Sequence, residues 1–271
     1  MSTDKPTPWT AARVSRCKGR EKIACVTAAD AATARLADNA GMHLILVGDS
    51  LAMTVLGYAN TLPATMGAML HHTAAVVRGV SQALVVADMP FLSYHLSLEQ
   101  ALRNAGRFIQ KAGAGAVKIE GGAMRAETIR HLVSNGIPVL GHIGLTPQSI
   151  HTLGGYKVQG RGDTAGKQLK DDLAAVIDAG AFAIVLECVT QTMGAELTRL
   201  ASVPTIGIGA GPECDGQILV SHDLLGLTPP DATPRFARRY AELGDATAKA
   251  FAAYRDEVLR GIFPANEHGY H

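Results

Sequence analysis

The chain has 271 residues, 47% of them hydrophobic and 18% charged, with a formal net charge of +1 at pH 7. That length and apolar content support one large core, of the size at which α/β barrels form a single domain. The near-zero net charge and the lack of a basic block argue against nucleic acid or an anionic membrane as a partner.

No apolar stretch is long enough to span a bilayer. The segment MSTDKPTPWTAARVSRCKGR at the start lacks the apolar centre of a secretory signal. Four widely spaced cysteines (Cys17, Cys25, Cys188 and Cys214) make neither a CxxC pair nor a zinc spacing. Free thiols in a reducing cytoplasm are the expectation.

In chain order, short apolar runs predict strands at 22–27 (KIACVT), 44–48 (LILVG), 83–88 (ALVVAD) and 116–120 (AVKIE), then at 137–142 (IPVLGH), 182–187 (FAIVLE), 203–208 (VPTIGI) and 217–221 (QILVS). Helical segments such as 98–112 and 166–179 lie between them. Ala40-Gly41, Ala114-Gly115, Asn135-Gly136 and Ala179-Gly180 precede strands and read as helix C-caps. Runs with little polar alternation fit parallel strands covered on both faces. Eight of them alternating with helices predict a (β/α)8 TIM barrel, with an open doubly wound sheet as the alternative. The expected organisation is one barrel domain over 1–271, with a short N-terminal extension and a C-terminal helical tail. The stretch 154–166 (GGYKVQGRGDTAG) reads as an ordered active-site loop, and the tail from 231 carries a helical pattern over 234–261.

Four of the runs end in a carboxylate: Asp49 after LILVG, Asp88, Glu120 and Glu187. Gathered at one sheet edge, each like-charged pair about 5 Å apart would cost about 3 kcal/mol at an effective dielectric of about 20. A positive group must sit among them, and a divalent cation with oxygen ligands is the natural candidate. Lys118 is two residues before Glu120 and shares its face. The pair is either a buried structural ion pair, or an anchor for an anionic substrate beside a metal ligand. Asp49 and Asp88 have the alternative of capping helices, and Ser50 adds a hydroxyl next to Asp49. Glu187, across the barrel, is a candidate general base or the partner of an arginine such as Arg161. His142, ending strand five, is a candidate for positioning substrate. His71 and His72 read as structural. His222 and Asp223 either line the site or cap the next segment. Gly207, Gly209 and Gly211 lie where barrels often bind phosphate.

The motifs VGDSLAM (47–53), TLPAT (61–65), ADMPFLSY (87–94), VKIEGG (117–122), GHIGLTPQS (141–149), GGYKVQGRG (154–162) and VLECV (185–189), with the terminal EHGYH, occur in an order that resembles the 3-methyl-2-oxobutanoate hydroxymethyltransferase family, from about residue 20 onward. The resemblance implies a (β/α)8 barrel of the phosphoenolpyruvate mutase and isocitrate lyase superfamily. It implies Mg2+, with Mn2+ or Co2+ as substitutes, held at Asp49, Asp88 and Glu120. It implies a keto acid bound at Asp49, Ser50, Asp88 and Lys118, and Glu187 as proton acceptor. The reaction implied joins 3-methyl-2-oxobutanoate to the one-carbon unit of 5,10-methylenetetrahydrofolate through a stabilised enolate, in a homodecamer of five dimers. The chain departs from the family pattern at Ala29 (TAAD for TAYD), in GYANTL (57–62) and at Thr190 in VLECVT. A carbon–carbon lyase of the same superfamily is the competing enzyme reading, but its KKCGH-type loop is missing. A barrel that has lost catalysis is the non-enzyme reading, and the retained carboxylates oppose it.

Overall fold

The structure is a computed structural model and describes residues 7–270. The first six residues of the N-terminal extension and the final His271 lie outside the described residues. Eight strands run β1 Ile23–Thr27, β2 Leu44–Val47, β3 Leu84–Asp88, β4 Ala116–Glu120, β5 Val139–Gly144, β6 Ala183–Glu187, β7 Thr205–Ile208 and β8 Gly216–Leu219. All neighbours are parallel and in sequence order, and β8 pairs with β1 to close the barrel. This is the (β/α)8 architecture the alternating pattern predicts. Helices follow β1 through β6, at Ala31–Asn39, Met66–Gly79, Leu98–Arg107, Ala126–Ser134, Asp163–Asp178 and Gln191–Leu200. Between β7 and β8 the described chain forms no helix.

The local sequence explains most boundaries. Asp30, Thr65, Ser97 and Thr190 each accept a backbone N–H from the first turn of the helix that follows, which removes an orphan donor at each start. Gly41, Gly136 and Gly180 adopt the left-handed φ of helix stops, as expected. The Ala114-Gly115 expectation is off by two residues. Helix Leu98–Arg107 widens into a π-turn over Phe108–Ala112, and the residue that reverses the chain is Gly113, at φ 79°.

Period-two alternation sorts the barrel wall. Leu84 and Val86, Ala116, Leu140, Ala183 and Val185, Ile206 and Ile208 belong to one interior cluster. Asp88, Lys118 with Glu120, His142 and Glu187 continue the same faces of β3, β4, β5 and β6 one or two steps further. The charged groups therefore crown an apolar plug at the C-terminal end of the strands. Val14 and Cys17, in and just after helix Ala11–Ser15, join the opposite end of that cluster, with Trp9 packed against it. At that end Lys18 donates to Asp215 at 2.8 Å, and Asp215 also accepts from Thr205 N, Thr205 Oγ1 and Gly19 N. All four cysteines are free. No helix among the described residues is long and apolar enough to cross a membrane.

The described chain divides into two compact units, one ending at Val220 and one beginning at Ser221. In the second, a short helix Ser221–Leu224 precedes a long helix Leu243–Leu259. The helical pattern expected from 234 begins only at Leu243. Tyr240, Leu243 and Gly244 donate their N–H groups to the carbonyls of Leu224, Leu225 and Gly226, and these pairings hold the chain open. Asp223 accepts from Thr228 Oγ1 at 2.6 Å within this unit.

Candidate active site

The parallel register sets Asp88 level with Lys118 and Glu120 level with His142. Their side chains consequently meet above the apolar plug. Lys118 Nζ lies 2.9 Å from Asp88 Oδ1, 3.3 Å from Glu120 Oε1 and 3.2 Å from His142 Nδ1. His142 Nε2 lies 3.3 Å from Glu187 Oε2. One histidine thus links the carboxylates of β4 and β6. Strand β5 runs two residues past its expected end, to Gly144, so His142 sits within the strand and not at its tip. Gly144 stands opposite Glu187 at φ 96°, and a Cβ there would fall 2.3 Å from the Glu187 carbonyl oxygen. Glycine is needed for this strand to approach Glu187 so closely.

Asp49 comes from the turn after β2. Its N–H donates to Asp88 Oδ2 at 2.9 Å, and its Oδ2 accepts from Gln148 Nε2 at 2.9 Å. Gly48 leaves room for the Ser50 hydroxyl: a Cβ there would sit 2.9 Å from Ser50 Oγ. Ser50, half-buried, precedes the turn of helix Leu51–Thr54, and its carbonyl accepts from Thr54 Oγ1. Asp49, Asp88, Lys118, Glu120 and His142 are buried, whereas Glu187 keeps 15% of its side chain exposed and faces the open side.

The charges are unevenly satisfied. Burial raises Asp49 well above the usual carboxylate range, and the charges of Glu120 and Asp88 add to this. Burial also raises Asp88, although Lys118 opposes it. For Glu120, burial is outweighed by Lys118, His142 and the Gln148 N–H, which pull it down to about 2. Lys118 is held firmly charged, because the carboxylates of Asp88, Glu120 and Asp49 outweigh its burial. Burial and Lys118 both oppose a charge on His142, but hydrogen bonding to Glu120 and Glu187 lifts it to about 9. Lys118 and His142 thus stand among four carboxyl groups, of which Asp49 and Asp88 are pushed towards the neutral form.

Two residues of this site were missed in the sequence. Gln148 and Tyr94 are buried: the Tyr94 hydroxyl donates to Gln148 Oε1 at 2.7 Å, and the Gln148 N–H donates to Glu120 Oε2 at 3.0 Å. Both lie inside the motifs GHIGLTPQS and ADMPFLSY. The available signal was a polar side chain in a proline-headed turn directly after β5.

The loop expected over 154–166 does reach the site. Gln159 N donates to Cys188 O at 2.7 Å, pinning the loop to the end of β6, and the Tyr156 hydroxyl contacts Met53 Sδ at 3.6 Å on the β2 side. Burial, with the charges of Glu187, Asp49 and Glu120, raises the Tyr156 phenol. Other candidates serve the scaffold. His72 Nδ1 bonds the Ala29 carbonyl at 2.7 Å. The open face of Gly207 is filled by Cys214 and Gln217. Asn60 Oδ1 accepts from Leu62 N within the departing GYANTL segment.

A closed parallel barrel with a lysine, a histidine and four carboxylates at its C-terminal mouth defines an enzyme of the (β/α)8 class. Solved barrels superpose over nearly the whole chain. Phosphonopyruvate hydrolase matches with a TM-score of 0.65 at 12% identity, covering 97% of this chain and 92% of that one. 2,3-Dimethylmalate lyase, a PEP mutase/isocitrate lyase superfamily member, matches with 0.62 at 19% identity, covering 97% and 92%. These establish the fold. The sequence establishes the family: residues 9–266 match the ketopantoate hydroxymethyltransferase profile, and the chain belongs to that family. The 3-methyl-2-oxobutanoate hydroxymethyltransferase of Moorella thermoacetica is 55% identical over 250 residues, covering 92% of this chain and 93% of that protein. The one from Thermotoga maritima is 53% identical over 258 residues, covering 95% of each.

Proposed function

We propose that the protein transfers a hydroxymethyl group from 5,10-methylenetetrahydrofolate to 3-methyl-2-oxobutanoate, giving 2-dehydropantoate and tetrahydrofolate, as the first committed step of pantothenate biosynthesis. The observation that carries this reading, beside family membership, is Lys118 held between Asp88 and Glu120 with Glu187 facing them across His142. An anionic keto acid finds a fixed positive charge at Lys118 and a free-facing carboxylate on the other side.

The residues fit a divalent cation. Among the described residues no three His, Cys, Asp or Glu side chains converge as a ready-made metal cage. Mg2+ does not require one, because it keeps several waters and is commonly held through one or two carboxylates plus substrate. The all-oxygen set of Asp49, Asp88 and Glu120 suits it, and its charge would favour the ionised form of the two carboxyls that burial raises, Asp49 and Asp88. Held there, Mg2+ (with Mn2+ or Co2+ as substitutes) would supply Lewis-acid stabilisation to the oxygen charge that develops at the 2-oxo group.

The chain's own residues do the rest. Lys118, with Asp49, Ser50, Asp88 and His142, binds and orients the keto acid. Glu187 takes the C3 proton, and the bonding pair remains on the substrate as an enolate. His142, with Nε2 3.3 Å from Glu187 Oε2, holds that carboxylate in place. C3 then bonds to the one-carbon unit, and both C–N bonds of the methylene bridge break with their electron pairs returning to the two folate nitrogens. Water supplies the hydroxyl oxygen, and the C3 proton together with one proton of that water end on those nitrogens. The assembly proposed is a cytoplasmic homodecamer of five dimers, checked by light scattering on the purified chain.

The test is proton exchange. The chain is incubated with 3-methyl-2-oxobutanoate in D2O, with Mg2+ or with EDTA, and the C3 proton is followed by NMR before methylenetetrahydrofolate is added. Metal-dependent exchange followed by 2-dehydropantoate is expected. No exchange with any divalent cation would overturn the reading.

A further inference from the structure

We propose that Gln148 and Tyr94 form a positioning pair that holds Asp49 in the orientation needed to bind the divalent cation; this inference rests on the metal reading above. Gln148 is 6% exposed and Tyr94 2%, and neither touches solvent chemistry directly. Gln148 Nε2 faces two acceptors, Asp49 Oδ2 at 2.9 Å and the Met89 carbonyl at 3.0 Å. Its Oε1 faces the Tyr94 hydroxyl at 2.7 Å.

Only one amide orientation satisfies this arrangement. The reverse would press the amide oxygen against a carboxylate and a carbonyl, with no donor between them. The Tyr94 O–H therefore acts as the latch that keeps the amide N–H on Asp49. Tyr94 is itself fixed, lying in the loop after β3 with its hydroxyl 3.3 Å from the Glu120 carbonyl. Asp49 is buried beside Asp88, which accepts its N–H, and Gln148 Nε2 donates to its carboxylate. The Gln148 backbone separately fixes Glu120, so the side chain and the main chain of one residue steady two of the three proposed ligands. Groups that orient metal ligands from behind typically change metal affinity by about 10–100-fold when removed.

The test measures Mn2+ binding by electron paramagnetic resonance on the full-length chain, with Mg2+ competition, for wild type, Tyr94→Phe, Gln148→Met and the double variant. Urea midpoints are taken in EDTA alongside. Tyr94→Phe deletes one oxygen. Gln148→Met keeps the backbone bond to Glu120 and removes the donor to Asp49. Each single variant is expected to weaken Mn2+ binding by about 10–100-fold. The double variant is expected to be no weaker than Gln148→Met, since the latch acts only through the amide. A purely structural role would lower the urea midpoint and leave the Mn2+ Kd unchanged; that result, or additive losses, would overturn the pair. If Gln148→Met does not fold, an unchanged Kd in Tyr94→Phe overturns it alone. Wild type that binds no Mn2+ would overturn both this inference and the metal reading, whereas wild-type binding with unaffected variants removes only the inference.

Discussion

Replacing Lys118 with methionine keeps most of the side-chain volume and removes the only lysine among the buried site charges. Its ammonium stands 2.9 Å from Asp88 and 3.3 Å from Glu120, with side-chain exposures of 5%, 4% and 3% respectively. Coulomb attraction at an effective dielectric of about 20 is about 5 kcal/mol for each contact, and desolvation offsets much of it. Removing one partner from a buried pair typically costs about 3–5 kcal/mol, because the remaining charge is left uncompensated. Lys18→Met is the control. Asp215 would keep its bonds from Thr205 N, Thr205 Oγ1 and Gly19 N, and Lys18 is 23% exposed. Its loss should cost about 1.5–3 kcal/mol, the scale of a hydrogen bond to a charged group. Urea unfolding at pH 7.5 in EDTA, with linear extrapolation, measures both. Equal losses, or a Lys118→Met loss below about 1 kcal/mol, would refute the view that Lys118 compensates the buried carboxylates of Asp88 and Glu120.

Glu187→Gln should slow C3–H exchange by about 100-fold or more while Mn2+ affinity stays at the wild-type value; exchange at the wild-type rate would remove Glu187 from the role of base. Asp38 is raised by burial, but donors from Ala83, Ser81 and Gln82 together hold it below the usual carboxylate range. A depressed folded pKa gives stability that is present above the unfolded value and lost as pH falls through the folded one. Asp38→Asn should therefore cost about 2 kcal/mol at pH 7, and the gap should narrow in acid when urea midpoints are compared at pH 7 and pH 3. Thr190 caps helix Gln191–Leu200 at φ −62°, an angle that proline also adopts. Thr190→Ala should cost about 1 kcal/mol, whereas Thr190→Pro should be close to neutral, because reduced unfolded-state entropy offsets the lost cap. Thermal denaturation of the two variants checks the ordering.

The strands and their terminal carboxylates were legible because a buried parallel strand is almost wholly apolar, so a charge at its end stands out. Lys118 and Glu120 were placed on one face by strand parity alone, and the structure agrees. The partner of Glu187 was not legible. Arg161 was as reasonable a candidate as any, and the structure gives the place to His142, because β5 extends further than its apolar run suggests. Gln148 was invisible for a different reason. Its partners lie 54 and 99 residues away in the chain, at Tyr94 and Asp49, and no local pattern encodes such a meeting. The early part of the tail was misread because backbone pairing with residues 224–226 outweighs helix propensity.

The barrel ring is divided into sectors. Every residue assigned to binding or proton transfer is carried by β2 through β6 or by the turn after β2, while β7, β8 and β1 contribute Ile206, Ile208, Ile218, Ile23 and Cys25 to the interior. Hydrogen bonding closes the ring, so the silent sector still sets the tilt and spacing of the reactive one. Change should be tolerated unevenly around the circumference. The silent arc can drift among similar aliphatic volumes as long as closure is kept, and the reactive arc cannot. For redesign, new volume for a bulkier keto acid is best carved from the silent arc, where no ionised group has to be moved.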